Sequence, residues 1–456
     1  MRGGSVVPFE QALRQWREAV GPHAEAALVA NPAYIASPCE IYPLAERNPG
    51  PFDAVVGFVM DMDGTTTTTE PLCLHSLEWM VRQITDRRDP RAWPGLDHAK
   101  DYPNVIGNST TRHVEYLIRT YGSQIRPAAF RRAYAAAVFW TLARGRDEAR
   151  RREVAANAVA LGLRPMLDDP AFGEMVRRGL DPFWRDPAEA APLLDRYAQA
   201  VAFAGFADQV RAAVDVYYVR YHTILAALHD GLDPGAVRLL ELPADEKLIA
   251  PMPAVGVFLA LVRGWLGHRA SLFYESLADH VADKTGVRPR YGPEALAELG
   301  RAFEARPAKL AIVTSSIVYE ADIVLGEVFR ALREDAAEWP LPVPERERIV
   351  RGFADHRAFY DAYVTASDSS EIRLKPHRDL YSLALFRMGI RREDYARVVG
   401  FEDSESGVIA IRAAGIGCSV ALPFAQSAGH DFTAAVHVLP GQLPEAILNH
   451  RCFLRA

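Results

Sequence analysis

Two aspartates one residue apart, Asp61 and Asp63 in DMDGTTTTTEP, stand at the end of an apolar run and precede a glycine and a row of threonines. A carboxylate can attack phosphorus to form an acyl phosphate, which divides one difficult hydrolysis into two easier steps. A second carboxylic acid two positions on can protonate the leaving oxygen and then, as carboxylate, activate the water that cleaves the intermediate. On an extended chain, residues i and i+2 face the same side, so both can serve one pocket. A carboxylate about 4 Å from one phosphate charge is repelled by roughly 4 kcal/mol at an effective dielectric of 20, so cations are required. Lys375, in RLKPHRDLY, supplies a fixed one. Glu402 and Asp403, in GFEDSESG, add oxygens beside Asp61 for a hard divalent ion, with Mg²⁺ the best fit. Thr314 and Ser315, after KLAIV, offer hydroxyl and amide donors to phosphoryl oxygens where a helix begins. Taken singly, DxDG also suits a turn or a structural cation loop, KP an exposed turn and EDS a helix cap; order and context set them apart.

These residues need a scaffold that brings them together. The run AVVGFVM, Ala54 to Met60, ends at Asp61 and is nearly all apolar, as a parallel strand covered on both faces should be. Short apolar strands followed by polar residues recur at KLAIVTSS from Lys309, YVTASDSS from Tyr363 and RVVGFEDSESG from Arg397, with GCSVAL from Gly417 after a further helix. Strands alternating with helices predict an α/β fold, a Rossmann-like doubly wound parallel sheet that binds ligands at the carboxyl ends of its strands. Between about Leu74 and Tyr291 the sequence reads as helices, among them FRRAYAAAVFWTLARGR and VGVFLALVRGWL. Roughly 200 residues is too long for a loop, which predicts a large inserted α-helical domain. The expected division is an extension over 1–53 packed on the core, the catalytic core over 54–74 and 291–456, and the helical domain over 75–290. Within the extension FEQALRQWREAV has helical periodicity, followed by a tail studded with Pro38, Pro43, Pro49 and Pro51.

The 456 residues, 49% hydrophobic and 24% charged, have the profile of a soluble globular protein with a sizeable core. A formal net charge of −6 gives no global attraction to nucleic acid or to an anionic membrane, so neither is expected as a partner. Four scattered cysteines form neither a CxxC pair nor a zinc spacing, which favours a reducing, cytoplasmic setting. The N-terminus has no apolar signal region, and AVGVFLALV, followed by Arg263, is too short to span a bilayer.

In that order, and each after an expected strand, DMDGT, AIVTSS, LKP and FEDSESG resemble the four signature motifs of the haloacid dehalogenase-like (HAD) hydrolase superfamily. The segments KPHRDLYSLALFRMGI and EDSESGVIAIRAAGIG resemble its phosphatase and β-phosphoglucomutase-like branch, which carries a helical cap after the first motif. The resemblance covers the core and little of the cap. It implies Asp61 as nucleophile, Asp63 as general acid and base, and Thr314 and Lys375 as holders of the phosphate. It implies Mg²⁺ bound by the Asp61 side chain, the Asp63 carbonyl, and Asp403 with Glu402. Haloalkanoate dehalogenases lack the second aspartate and transport ATPases carry threonine there, so Asp63 favours phosphate esters. Relatives of the branch often read DGTLxDTEPLH; here Thr68 replaces the aspartate and Cys73 the histidine, and IGNSTTRHVEYLI offers Thr110 where the mutase has arginine. These departures weaken the mutase reading. The implied activity is a Mg²⁺-dependent phosphatase that hydrolyses a small phosphorylated metabolite through an aspartyl-phosphate. The alternatives are a phosphomutase and a non-catalytic phospho-ligand or protein-interaction module, the last disfavoured because a binding-only site needs no paired acid.

The remaining features have plainer readings. The row from Thr65 to Thr69 suits a solvated β-flap, with substrate contact by its hydroxyls the lesser alternative. His75, His113, His222 and His229 fit surface or packing positions, and Arg131, Arg132, Arg144, Arg146, Arg150, Arg151 and Arg152 a solvated helix face. Trp140, Tyr217, Tyr218 and Tyr221 are expected in the core of the helical domain, and Cys73 as a small buried hydrophobe.

Overall fold

A six-stranded sheet, parallel throughout, organises one part of the chain, in the order β10 (His437–Val438), β9 (Cys418–Ala421), β8 (Val398–Glu402), β3 (Gly57–Asp61), β6 (Lys309–Val313), β7 (Ala362–Val364). The computed structural model describes residues 7–21, 25–30, 37–89, 91, 93–105, 110–179, 190–231, 247–368, 373–424, 427, 429–450 and 455. Every residue of β3 and β8 is buried, which is why these strands read as unbroken apolar runs rather than as alternating ones. After β3 the chain adds β6 and β7 on one side and then returns to place β8 on the other. The reversal makes the carboxyl end of β3 the topological switch point. The five strands expected from the sequence all form, and β10 is an addition too short to show in the pattern.

The chain divides into two compact units. The sheet unit comprises Met1–Thr67, Pro251–Val318 and Phe329–Ala456, and the helical unit Thr68–Ala250 with Tyr319–Val328. Residues 251–290 thus group with the sheet, whereas the sequence reading puts them in the helical insertion. The cause lies in the helix Val255–Val262, all eight of whose residues are buried. Phe258 packs edge-on against Phe58 of β3 and Phe401 of β8, with centroids 5.2 and 5.4 Å apart, and those two rings stack at 5.8 Å. A helix that is apolar on all sides is a buried one, and here it lies against the sheet. Among the described residues no helix is long and apolar enough to cross a membrane.

In the helical unit, the helices Glu70–Thr85, Pro127–Arg144 and Phe206–His229 contribute Leu77, Met80, Phe130, Val138, Trp140 and Tyr217 to one core, with Tyr218 and Tyr221 partly buried against it. The arginine stretch is not uniformly solvated as expected. Arg150 forms an ion pair with the fully enclosed carboxylate of Asp215, which Asn157 also reaches at 3.2 Å. A buried carboxylate needs such partners to keep its charge. His222 is also buried, 2.8 Å from Glu320. Cys73 is half-buried, its Sγ 3.8 Å from Nδ1 of His113 and 3.6 Å from the Tyr217 hydroxyl. Residues 106–109 of the segment likened to a specificity loop lie outside the described residues.

The N-terminal extension holds its expected helix, Phe9–Val20, and then an antiparallel hairpin of β1 (Glu25–Ala30) and β2 (Cys39–Leu44) that the sequence does not announce. Pro43 sits inside β2, and proline within a run normally argues against a strand; a two-stranded hairpin, with one side of each strand open, accommodates it. Glu25 anchors the hairpin to Arg412, a fully buried arginine of the helix Glu405–Ala413 that also donates to the Ala45 carbonyl.

Candidate functional site

Asp61 is the last residue of β3 and Glu402 the last of β8, so the sheet's parallel pairing alone puts both carboxylates at one edge. Asp403 follows directly, and oxygens of Asp61, Glu402 and Asp403 lie within 4.8 Å of one another, all three residues buried. Lys375 reaches in from the loop before the helix Asp379–Arg387. Its Nζ lies 2.6 Å from Oε1 of Glu402 and also contacts Oδ1 of Asp61.

Three carboxylates around one ammonium leave a negative excess in a place with little water. Burial pushes the pKa of Asp61 well up; Lys375 pulls against this, but Glu402 and Asp63 add to it. Asp403 is raised in the same way, first by burial and then by Glu402 and Asp61. Lys375, despite burial, is driven well above its usual range by Asp61 and Glu402. Only Glu402 falls below the ordinary range: burial opposes this, but Lys375 and the Ser404 donors prevail. Its Oε2 accepts from the Asp403 and Ser404 amides at 2.9 Å each and from the Ser404 hydroxyl at 2.8 Å, and its Oε1 from Lys375 and, at 3.2 Å, Tyr381. Glu402 therefore ties the loop together, while Asp61 and Asp403 carry the uncompensated charge.

A divalent cation fits that excess. The donors are hard oxygens, and the backbone runs close against Asp403: Gly64 has φ +81°, and a Cβ there would lie 2.4 Å from Oδ2 of Asp403. Ser427, buried in the loop after β9, donates to Oδ2 of Asp403 at 3.2 Å.

Asp63 is half-buried and its Oδ2 accepts from the hydroxyl of Ser316 at 3.3 Å. Thr314 is buried, and its Oγ1 accepts from the Ser316 amide at 3.0 Å. Ser315, chosen from the sequence, is exposed, whereas its neighbour Ser316 reaches the acid. The signal was there in the second serine of TSS, since a turn after a strand can bring alternate residues back toward the strand's end. The threonine row does extend into a short strand, Thr67–Thr68, but it is not solvated as expected: Thr65, Thr66 and Thr67 are buried. Thr66 donates its hydroxyl to the Asp61 carbonyl at 2.7 Å, and the Thr66 and Thr67 amides both donate to the Met62 carbonyl at 2.9 Å. These short side chains close the turn beneath the aspartates.

No family model matches the sequence, and no curated protein matches it. Among solved structures, the chain is similar to the protein CbbY from Rhodobacter sphaeroides in complex with phosphate, at 14% identity and TM-score 0.35, covering 86% of this chain and 96% of that one. It is similar to a HAD family hydrolase from Deinococcus radiodurans R1 with bound phosphate and sodium, at 15% identity and TM-score 0.35, covering 89% and 99%. The β-phosphoglucomutase from Clostridium difficile is similar at 11% identity and TM-score 0.32, covering 87% and 97%.

Proposed function

We propose that this protein is a Mg²⁺-dependent phosphatase that acts through an aspartyl-phosphate at Asp61 on a small phosphorylated metabolite. The observation that carries this reading is the buried set of Asp61, Glu402 and Asp403 around a single lysine at the sheet's switch point. So much uncompensated charge is costly unless a cation and a phosphoryl group share the site. Asp61 is the nucleophile, its carboxylate fixed at the end of a strand buried along its whole length. Lys375 neutralises charge between that carboxylate and the phosphoryl oxygens. Asp63, oriented by Ser316, gives its proton to the leaving oxygen and then takes one from the attacking water. Thr314 and Ser315 border the place of the phosphoryl oxygens. Asp61, Asp403 and the Asp63 carbonyl would hold Mg²⁺, which supplies charge stabilisation to the transferring group.

The test is phosphate release from a broad panel of phosphomonoesters with Mg²⁺, by wild type, Asp61→Asn and Asp63→Asn. Release that disappears in both variants and with chelator supports the assignment. Release indifferent to Asp61→Asn, or none from any ester by folded protein, would sink it. Isomerised product in the presence of a sugar bisphosphate would move the assignment to phosphomutase.

A further inference from the structure

The hairpin β1–β2 has two unlike faces. Leu28 and Ile41, paired across the ladder, stand exposed at 72% and 45%. On the opposite face of β2, Glu40 and Tyr42 are half-buried. They meet the loop that carries Lys375. The Tyr42 hydroxyl lies 2.7 Å from Nε2 of His377, with ring centroids 4.7 Å apart, and the charge of Glu40 is felt at Arg373 and His377. Burial and the Arg373 charge hold His377 below the usual imidazole range, which keeps the ring neutral near pH 7 and able to accept from Tyr42. The loop has its own closures: the Arg373 amide and Nε donate to Oδ2 of Asp379 at 3.1 and 3.2 Å, and the His377 amide to the Leu374 carbonyl at 3.0 Å.

The same hairpin is fastened at its other end behind the acidic motif. Glu25 takes a hydrogen bond from buried Arg412 at 2.5 Å, and Arg412 lies on the helix that begins two residues after Asp403. Arg47, just past β2, binds Glu25 at 3.0 Å and the Ala435 carbonyl at 2.5 Å. The hairpin therefore touches both halves of the site, the helix after Asp403 and the turn of Lys375. A lysine side chain has four rotatable bonds, so where its ammonium rests depends on how firmly its backbone is held.

We propose that the N-terminal hairpin is a strut of the site, with Tyr42 a positioning residue that holds, through His377, the turn carrying Lys375. This rests on the assignment of Lys375 as the cation beside the nucleophile. The test compares wild type with Tyr42→Phe, which keeps the ring and loses the hydroxyl. Amide exchange in 373–379 should quicken about fivefold, as loss of one ordinary hydrogen bond allows, with 57–61 unchanged. Phosphate release should fall about fivefold in kcat with KM unchanged, and adding His377→Phe should bring little further loss, because both changes break one contact. Ile41→Thr, on the open face, should alter neither. Unchanged exchange in 373–379, unchanged kcat, or exchange quickened equally in the central sheet would each overturn the strut. The exchange arm does not require turnover: a wild type inactive on every ester ends the phosphatase reading, while exchange still decides whether Tyr42 holds the turn.

Discussion

Lys375 and Glu402 form a buried ion pair, Nζ to Oε1 at 2.6 Å, and the same ammonium is shared with Asp61. The lysine thus has two tasks before any ligand arrives: it balances a carboxylate that organises the loop, and it holds the charge of Asp61. Removing it as Lys375→Met should lower kcat by about 10²- to 10³-fold, the loss typical of one preorganised charge. It should also destabilise the protein by about 3–5 kcal/mol, because partners of a broken buried pair stay buried. Thermal melting with and without Mg²⁺ checks this, with the ion expected to recover part of the loss in the variant.

Two glycines leave room for the carboxylates. At Gly64 a Cβ would crowd Oδ2 of Asp403 in a left-handed backbone, and at Gly407 a Cβ would lie 1.7 Å from Oε1 of Glu402. Gly64→Ala and Gly407→Ala should each weaken Mg²⁺ about 10- to 100-fold, as disturbed support of a metal site does. Titration calorimetry with Mg²⁺ measures it, and an unchanged affinity in both would contradict the geometry.

Ser316 orients Asp63 through its hydroxyl. Ser316→Ala should reduce kcat about five- to tenfold and leave KM within error if Asp63 is the proton donor proposed above, since the hydroxyl aims its carboxyl. A rise in KM with constant kcat would mean that Ser316 binds substrate instead.

The helical unit has its own weak point in Asp215. Without that carboxylate Arg150, whose side chain is 10% exposed, would lose its buried partner and keep the exposed Glu153, 2.8 Å away, in its place. Asp215→Ala should cost about 3–5 kcal/mol in denaturant unfolding, and the double variant with Arg150→Met should regain much of it. A double variant no more stable than Asp215→Ala would show that the pair is not the cause.

Acid should release the hairpin first. Burial works to raise the pKa of Glu25, but Arg412 and Arg47 together hold it below its ordinary 4.5. A carboxyl that ionises more easily when folded adds stability above pH 4.5 and loses it as pH falls through the lower folded value. Amide exchange in 25–30 should therefore rise on acidification through that range before exchange in 57–61 does. Glu25→Gln should abolish the difference in pH dependence.

The gathering of the acidic cluster and its lysine was legible because paired carboxylates and a lysine at strand ends are residue types that are hard to explain otherwise. Asp61, Lys375, Glu402 and Asp403 follow or precede strands in an order that only a parallel sheet brings together, and the structure gathers them. What stayed hidden depended on contacts rather than on pattern. Ser315 and Ser316 are the same residue type, and only the turn decides which one reaches Asp63. The extended chain at Thr67–Thr68 is legible from its β-branched residues, but its burial is not, because they favour extended chain whether or not water covers them. The pattern groups the helix Val255–Val262 with its helical neighbours in sequence, although an apolar character all round suits a position under the sheet.

The helix Val318–Ala337 belongs to both units, since Tyr319–Val328 groups with the helical one and the remainder with the sheet. The helical unit is consequently not a cassette that two cuts can remove. A fragment expressed as 68–250 would keep His222 but leave Glu320 behind, and a sheet fragment closed by a short linker would display the reverse deficit. Exchange of this unit between proteins, by an experimenter or by recombination, has to carry this second piece of chain along with 68–250.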